Sequence, residues 1–226
     1  MKAMIFAAGR GRRLRPLTDT LPKPLVRVGS NTLIEHHIKR CVSAGFESII
    51  INTAHLGEKI RQYLGNGAHY GIPIYYSDEG EQALETGGGI AHALPLLGSE
   101  PFVGISADIY CEIPLQSNFS LARGCLHMIM VNNPEHNPGG DFRPDEINLP
   151  NPSASSYTYS GIAYIDPALF THEKRVFPLR DVINTCIDTG NISAELYEGV
   201  WIDVGTIGRL HQANKYAVFP DGTIYP

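Results

Sequence analysis

Short apolar runs alternate with amphipathic stretches through the first half of the chain. Four of the runs have the length and composition that predict buried β-strands. They lie at residues 3–7, 48–52, 72–76 and 102–106. Helices are predicted between them at 58–64, at 90–97, and from a cap at Asn31 or Thr32 to a stop near Gly45. This alternation is typical of an α/β fold, a Rossmann-like mixed and mostly parallel sheet with helices on both faces.

The second half of the chain has a less regular pattern. Residues 133–152 are rich in Pro, Asn and Gly, which favours a substrate-facing loop over a domain boundary. A strand is predicted at 200–202, and the sequence after Gly205 predicts a last long helix. Because no internal repeat or low-complexity linker interrupts the chain, residues 1–226 are predicted to form a single domain with an insertion at about 133–161.

The first predicted strand runs directly into a loop of glycines and arginines at residues 8–16. Gly9 and Gly11 lack Cβ atoms, so the backbone can approach a ligand and turn successive N–H groups into one anion-binding concavity. Four arginines supply forked donors that match phosphate oxygens. They are Arg10, Arg12, Arg13 and Arg15. A run of arginines is commonly only a solvated surface, but open α/β sheets bind ligands at their strand ends, where this loop lies.

The loop matches neither of the two common glycine-rich nucleotide motifs. It lacks the Gly-Lys-Ser/Thr ending of a P-loop and the third glycine of the dinucleotide fingerprint. Residues 7–18 instead read Ala-Ala-Gly-x-Gly-x-Arg-Leu-Arg-Pro-Leu-Thr, and Pro-Lys-Pro-Leu follows at 22–25. This linked pair of motifs resembles the signature of the sugar-phosphate nucleotidyltransferases, which join a nucleoside triphosphate to a sugar 1-phosphate. The resemblance runs through most of the chain and implies the nucleotide-diphospho-sugar transferase fold.

Nucleotidyl transfer gathers several anions, and the resemblance implies how this chain would offset their charge. It makes Arg13 and Lys23 catalytic and the loop a nucleotide-binding segment. The nucleotide contacts it implies are Ala8, Gly9, Gly11, Arg12, Arg13 and Lys23. The prolines on both sides of Lys23 fix φ and stiffen the loop, which would hold one ammonium where the α-phosphate becomes more negative.

Two aspartates follow apolar strands at the predicted ligand side of the sheet. Asp108 comes shortly after the strand at 102–106, and Asp203 lies in a Trp-x-Asp-x-Gly-Thr segment after the strand at 200–202. Taken alone, each is equally typical of a turn or a helix cap. Both match metal-binding elements of the family, so the resemblance implies that they hold Mg²⁺ together with phosphate oxygens and water.

Two further segments are expected to select the base and the sugar. The glycine-rich stretch 78–90 would bring backbone groups against the edges of a base. The expected nucleotide contacts there and on the next strand are Gly80, Glu81, Gly87 and Ser106. A strand at 157–162 and the loop before it would contact the sugar. The expected sugar contacts are Asp141, Ser160 and Gly161. A helix start, a surface acid and a bulged strand are the plain structural alternatives.

The stretches 85–90 and 133–142 narrow the resemblance to one branch of the family. That branch uses UTP, and the resemblance implies N-acetylmuramate 1-phosphate as the sugar substrate, in bacterial peptidoglycan recycling. Guanylyl transfer to mannose 1-phosphate and thymidylyl transfer to glucose 1-phosphate stay open, because the phosphate-binding residues would be the same. A catalytically inactive, nucleotide-binding regulatory subunit is the alternative from another class. The chain retains the family's phosphate- and metal-binding residues, which argues against this alternative; they are Arg13, Lys23, Asp108 and Asp203.

The composition of the chain mainly excludes classes of protein and of partner. With 226 residues and 43% hydrophobic content the chain can bury one substantial core. Its net charge of −5 argues against a nucleic-acid-binding surface. Four cysteines without metal-ligand spacing are predicted to be free thiols of a reducing compartment. They are Cys41, Cys111, Cys125 and Cys186. With no signal-peptide pattern and no bilayer-spanning stretch, we expect a cytoplasmic protein, a monomer or weak homo-oligomer, without nucleic acid or membrane partners.

Overall fold

A seven-stranded sheet forms the centre of the molecule. The computed structural model describes residues 1–80, 83–170 and 175–217. Its strands are β1 (Lys2–Phe6), β2 (Arg27–Val28), β3 (Asn31–Thr32), β4 (Ile49–Thr53), β5 (Ile74–Asp78), β6 (Phe102–Ser106), β7 (Ile109–Cys111), β8 (Leu126–Val131), β9 (Thr158–Ile165), β10 (Ile192–Tyr197) and β11 (Trp201–Asp203). Its helices are α1 (Leu33–Ser43), α2 (Gly57–Leu64), α3 (Glu85–Leu97), α4 (Leu179–Asp188) and α5 (Ile207–Asn214).

The order of the strands confirms the predicted α/β class. They pair as β10-β8-β9-β6-β1-β4-β5, and β9 runs antiparallel to both of its neighbours while every other pair is parallel. Parallel strands require cover on both faces, and successive side chains of a strand point to opposite faces. Accordingly Ala3 and Ile5 of β1 pack in one buried cluster with α1 and α2, while Met4 packs in another with α3 and α4.

The predicted helix start at Thr32 is confirmed by its capping geometry. The Thr32 side chain accepts a hydrogen bond from the Glu35 backbone N–H, and the Glu35 side chain accepts one from the Thr32 N–H. This reciprocal capping satisfies two donors that the first turn of a helix leaves unpaired. The buried residues of α1 are spaced as the sequence pattern predicted, including Ile34, Ile38 and Cys41.

The glycine run is the main difference from the predicted elements. It was expected to lead into a helix near Ile90, but α3 already begins at Glu85 and contains all three glycines. A Cβ on Gly87 would lie 2.5 Å from the Phe177 ring, and one on Gly89 would lie 2.5 Å from Glu79 Oε1. Close packing therefore selects glycine inside this helix despite its low helix propensity.

Two segments outside the main sheet shape the edge where β1, β4, β5 and β6 end. Strand β11 pairs antiparallel with β7, with Asp203 opposite Ile109. Residues 132–157 connect β8 to β9 as a long loop, closed by a bridge between Phe142 and Tyr157. Buried apolar side chains of this loop, such as Phe142 and Ile147, join the cluster beneath α3 and α4. The single-domain organisation with an insertion there stays a prediction.

Two predictions drawn from composition can be compared with the structure. All four cysteines are unpaired, as predicted, and three of them are buried. Within the described ranges, none of the helices combines the length and the apolar character that a bilayer crossing would need.

We expect Gly87→Ala to lower the free energy of unfolding by about 1–2 kcal/mol, because crowding against the Phe177 ring and carbonyl outweighs the helix preference of alanine. Urea unfolding of both proteins measures this difference. Gly139→Ala is the matched control, since no heavy atom lies within 4 Å of a Cβ built there. Equal stability of the two variants would contradict the packing role of Gly87.

Candidate active site

The loop that follows β1 folds back over Lys23. Gly11 has φ 61°, and a Cβ there would lie 3.0 Å from the Lys23 Cβ and 3.1 Å from the Thr18 Cγ2. The Thr18 hydroxyl donates to the Gly11 carbonyl at 2.9 Å. Positive φ and this close approach both favour glycine at position 11. The loop is thereby held against the segment that carries the candidate catalytic lysine.

A buried chain of hydrogen bonds anchors the start of the same loop. The Ala7 N–H donates to Asn52 Oδ1 at 2.8 Å, and Asn52 Nδ2 donates to Glu79 Oε1 at 2.6 Å. The second Glu79 oxygen accepts the Leu84 N–H at 2.7 Å. Asn52 and Glu79 are nearly inaccessible, and burial strengthens such bonds and raises the cost of losing them. The chain of bonds ties the ends of β1, β4 and β5 to the beginning of α3.

Lys23 forms a close ion pair with Asp108. Lys23 Nζ lies 2.6 Å from Asp108 Oδ2, and the side chains are 8% and 40% exposed. The lysine is in a 3₁₀ turn, Lys23–Leu25, between two prolines. A buried ammonium is costly without a partner, so Asp108 stabilises its position. The structure thus brings together two residues that the sequence analysis assigned separately to catalysis and to metal binding.

Asp203 lies beside Asp108 because β11 pairs with β7. The Val204 N–H donates to the Asp108 carbonyl at 2.9 Å. Asp203 Oδ2 faces three basic side chains, with Arg209 Nη2 at 3.3 Å, His136 Nε2 at 3.5 Å and Arg13 Nη2 at 4.0 Å. Its Oδ1 is buried and has no hydrogen-bond partner among the described residues.

These two carboxylates fit a hard divalent cation. They present oxygen ligands at adjacent positions, and the buried Asp203 Oδ1 is an acceptor that no protein donor satisfies in the described part of the chain. Within those same residues, no group of three or more His, Cys, Asp or Glu side chains has metal-binding geometry. Mg²⁺ commonly takes one or two protein carboxylates and completes its shell with water and phosphate oxygens. A set of two aspartates therefore suits Mg²⁺ bound together with a phosphate substrate.

A cavity of about 400 Å³ lies between the glycine loop and the strand ends, and we call it the loop cavity. Most of the predicted nucleotide contacts line it. They are Ala8, Gly9, Gly11, Arg12, Arg13, Lys23 and Ser106. Two other predicted contacts that the structure describes, Gly80 and Gly87, do not line the loop cavity. Gly80 lies in the exposed turn after β5, and Gly87 is buried beneath Phe177. Glu81 lies outside the described residues.

A second cavity of about 410 Å³, the strand-end cavity, adjoins the first through Ser106 and Asp108. All three predicted sugar contacts line it. They are Asp141, Ser160 and Gly161. The Asp141 carboxylate is oriented by Asn137 Nδ2 at 3.0 Å and by the Tyr159 N–H at 2.9 Å. Oriented carboxylate oxygens of this kind accept hydrogen bonds from hydroxyl groups.

The close approach of β9 to β6 explains Gly161. It has φ 84°, and a Cβ there would lie 2.7 Å from the Ser106 hydroxyl. It also lies within a bulge, since the pairing register of β8 with β9 shifts between Ile129 and Met130. Glycine at this position therefore lets the strand pack against Ser106, and contact with a sugar stays a prediction.

Several residues of the site were missed by the sequence analysis. Asn52 could have been found, since it is the polar residue that directly follows the apolar run Ile-Ile-Ile near the end of a predicted strand. His136 and Arg209 carry no local signal, because only folding brings them to Asp203. Glu85 belongs to the predicted base-binding stretch but was not named as a contact; it lines the loop cavity with φ 61°, a left-handed backbone that is uncommon for a residue such as glutamate.

Comparisons with known proteins agree with this geometry. Residues 2–136 match the family model described as nucleotidyl transferase. An N-acetylmuramate alpha-1-phosphate uridylyltransferase of Neisseria meningitidis serogroup B is 42% identical over 96% of this chain and 98% of that protein. A protein of the same name from Caulobacter vibrioides is 44% identical over 49% of this chain and 47% of its own length.

A solved structure supports the fold. A Bacillus anthracis protein assigned as a glucose-1-phosphate thymidylyltransferase superposes with a TM-score of 0.76, covering 95% of this chain and 94% of that one. Its sequence identity is 22%, so the likeness concerns the fold alone.

Asn52→Ala should lower the free energy of unfolding by about 2 kcal/mol or more, because Glu79 and the Ala7 N–H each lose a buried partner. Urea unfolding checks this. Asn66→Ala makes the same change at an exposed turn, where among the described residues the amide oxygen accepts only the Ala68 N–H, and should cost much less. A similar loss in both variants would argue against the anchoring role of Asn52.

Proposed function

The chain belongs to the nucleotidyl transferase family, and from this premise we propose that it transfers the uridylyl group of UTP to N-acetylmuramate 1-phosphate. It is a sugar-1-phosphate nucleotidyltransferase. The products would be UDP-N-acetylmuramate and pyrophosphate, and the reaction would serve peptidoglycan recycling. UTP and this sugar are proposed from the similarity to the Neisseria meningitidis enzyme, which extends over nearly the full length of both chains.

The observation that carries the proposal is the meeting of Lys23, Asp108 and Asp203 where two cavities join. The loop cavity has the size of a nucleotide site and is lined by glycine backbone and arginines. The strand-end cavity is lined by the predicted sugar contacts Asp141, Ser160 and Gly161, and it shares Ser106 and Asp108 with the loop cavity. A triphosphate in the first cavity and a sugar phosphate in the second would bring their reacting groups to the same place.

The proposed reaction is a single in-line displacement. An oxygen of the sugar phosphate attacks the α-phosphorus of UTP, a new P–O bond forms, and the bond from the α-phosphorus to the β-phosphate oxygen breaks. Pyrophosphate leaves with that electron pair. No enzyme group becomes covalently attached, so the protein contributes mainly position and charge.

Lys23 would stabilise the transition state. Its Nζ is held within the loop cavity by Asp108, and an incoming α-phosphate would offer it a second anion at that position. Arg13 is 64% exposed and reaches only to 4.0 Å from Asp203, so its guanidinium can turn to the triphosphate. Arg12 lines the same cavity and would add a second forked donor.

Asp108 and Asp203 would hold Mg²⁺. When bound, the ion would offset the negative charge of the phosphate oxygens on the triphosphate and on the leaving pyrophosphate. The buried Oδ1 of Asp203, which has no partner among the described residues, supports this assignment, and so does the partly exposed carboxylate of Asp108.

Substrate choice is tested by pyrophosphate release across a grid of nucleotides and sugars. The nucleotides are UTP, dTTP, GTP, CTP and ATP, and the sugars are the 1-phosphates of N-acetylmuramate, N-acetylglucosamine, glucose and mannose. We expect selective turnover of UTP with N-acetylmuramate 1-phosphate, lost when EDTA removes Mg²⁺. Turnover of another pair would replace the substrates, and nucleotide binding without any turnover would favour a regulatory subunit.

The pyrophosphate-release assay also tests whether Asp203 is a metal ligand. Asp203→Asn should abolish most of the Mg²⁺-dependent turnover, because it removes one of the two charged oxygen ligands. Asp145→Asn is the matched control, since Asp145 is exposed and pairs only with Arg143 among the described residues. Unchanged Mg²⁺ dependence in the Asp203 variant would refute its ligand role.

Lys23→Ala should lower turnover by roughly a hundredfold or more, because it removes one charge-stabilising donor at the α-phosphate. Steady-state kinetics with the best substrate pair measure this loss, and urea unfolding verifies that the variant is folded. Lys59→Ala is the control, since the exposed Lys59 donates to the Thr20 carbonyl outside the cavities. A folded Lys23 variant with nearly normal turnover would exclude the catalytic assignment.

A further inference from the structure

A third cavity of about 260 Å³, the side cavity, opens beside the two already described. It shares Ser106 with both of them, and it shares Asp141 and Tyr159 with the strand-end cavity. Most of its remaining wall is apolar and comes from α4 and the loop before β9, including Phe142, Leu179 and Ile183. A sugar bound at Asp141 could therefore extend one ring substituent into the side cavity.

One cation lines this apolar cavity. The Arg180 guanidinium lies 4.0 Å from the centroid of the Phe142 ring, and its Nη2 donates to the Asp141 carbonyl at 3.2 Å. In the described part of the chain no carboxylate lies within ion-pair distance of Arg180. A guanidinium has five N–H donors, so stacking on Phe142 fixes its plane and leaves most of its donors for an anion.

Tyr159 is another residue of the cavity wall. The Tyr159 hydroxyl is buried and makes no hydrogen bond among the described residues. Burial raises the pKa of this hydroxyl, so it stays protonated and can donate. A buried polar atom without a partner is unusual in a folded protein, and a ligand that accepts its hydrogen bond would remove the cost of leaving it unpaired.

We infer that the side cavity binds the lactyl group of the sugar substrate, with Arg180 pairing its carboxylate and Tyr159 supplying a second hydrogen bond. This inference rests on the proposed function. The lactyl ether carries a methyl group and a carboxylate, and it is the group that distinguishes muramate from glucosamine. The apolar wall of Phe142 and Leu179 suits the methyl group, and the Arg180 guanidinium, which has no carboxylate partner in the described part of the chain, suits the carboxylate. A neutral acetamido group would leave the guanidinium without an anion.

The test compares kcat/KM for N-acetylmuramate 1-phosphate and N-acetylglucosamine 1-phosphate, which lacks the lactyl group, at saturating UTP and Mg²⁺. We expect Arg180→Ala to lower kcat/KM for the muramate substrate by about tenfold or more and to leave the glucosamine substrate nearly unchanged, because only the former offers an anion. Tyr159→Phe removes only the hydroxyl, and it should lower kcat/KM for N-acetylmuramate 1-phosphate by a smaller factor than Arg180→Ala does. Arg123→Ala is the control, since Arg123 is an exposed arginine lining a different cavity.

A neutral analogue separates charge from shape. The methyl ester of the lactyl carboxylate keeps the apolar group and removes the anion, so the unchanged enzyme should prefer the acid while Arg180→Ala should lose that preference. The UTP dissociation constant of each variant checks that the nucleotide site is intact. Should Arg180→Ala disturb it, Arg180→Gln, which keeps a planar donor without charge, takes its place.

The outcomes distinguish this inference from the proposed function. If the unchanged enzyme turned over neither sugar with UTP, the proposed function would fall, and the inference with it. If it turned over the muramate substrate while the Arg180 variants kept the preference for the lactyl acid, the proposed function would stand and this role of the side cavity would be overturned. Equal losses on both sugars would overturn it as well, since a lactyl contact cannot act on a substrate that lacks the group.

Discussion

The parallel alignment of β1, β4, β5 and β6 is the constraint on which the candidate site depends. Because these strands run in one direction, their carboxyl ends lie at one edge of the sheet. A polar residue or a loop stands at the end of each strand. The glycine loop follows β1, Asn52 and Glu79 mark the next two strands, and Asp108 follows β6. The antiparallel strand β9 and the pair of β7 with β11 then close this edge from the side.

Charge balance connects that alignment to the proposed chemistry. Lys23 and Arg209 are nearly buried cations, and each lies against an aspartate that is itself a candidate metal ligand. The protein thus holds its positive groups in position with its own carboxylates. A phosphate substrate and a divalent cation would exchange partners with these pairs, so that the cations face phosphate oxygens and the carboxylates face the metal. Such an exchange would need little movement of the side chains, because each cation already lies beside an aspartate.

The glycines show how one residue type serves several physical purposes at this edge. Gly11 has positive φ and lies against Lys23, so its position requires glycine for backbone conformation as well as for space. Gly87 is inside a helix and lies against the Phe177 ring, whereas Gly161 combines positive φ with close approach to the Ser106 hydroxyl. The sequence alone offered ligand contact for all of them, with a helix start and a bulged strand as the alternatives for Gly87 and Gly161, because a glycine that receives a neighbouring side chain and one that receives a ligand look identical in a sequence.

Local signals in the sequence were enough for the strand and helix alternation and for the loop after β1, whereas the roles of Lys23, Asp108 and Asp203 were predicted only through the resemblance to the family. These signals depend on short spacings and strand ends, which are properties of nearby residues. The length of α3, the Asn52 and Glu79 anchor, the approach of His136 and Arg209 to Asp203, and the side cavity with Arg180 were decided only by the tertiary structure. Each of these involves groups far apart in the chain, and their contacts arise because the sheet, the long loop and α4 pack against one another.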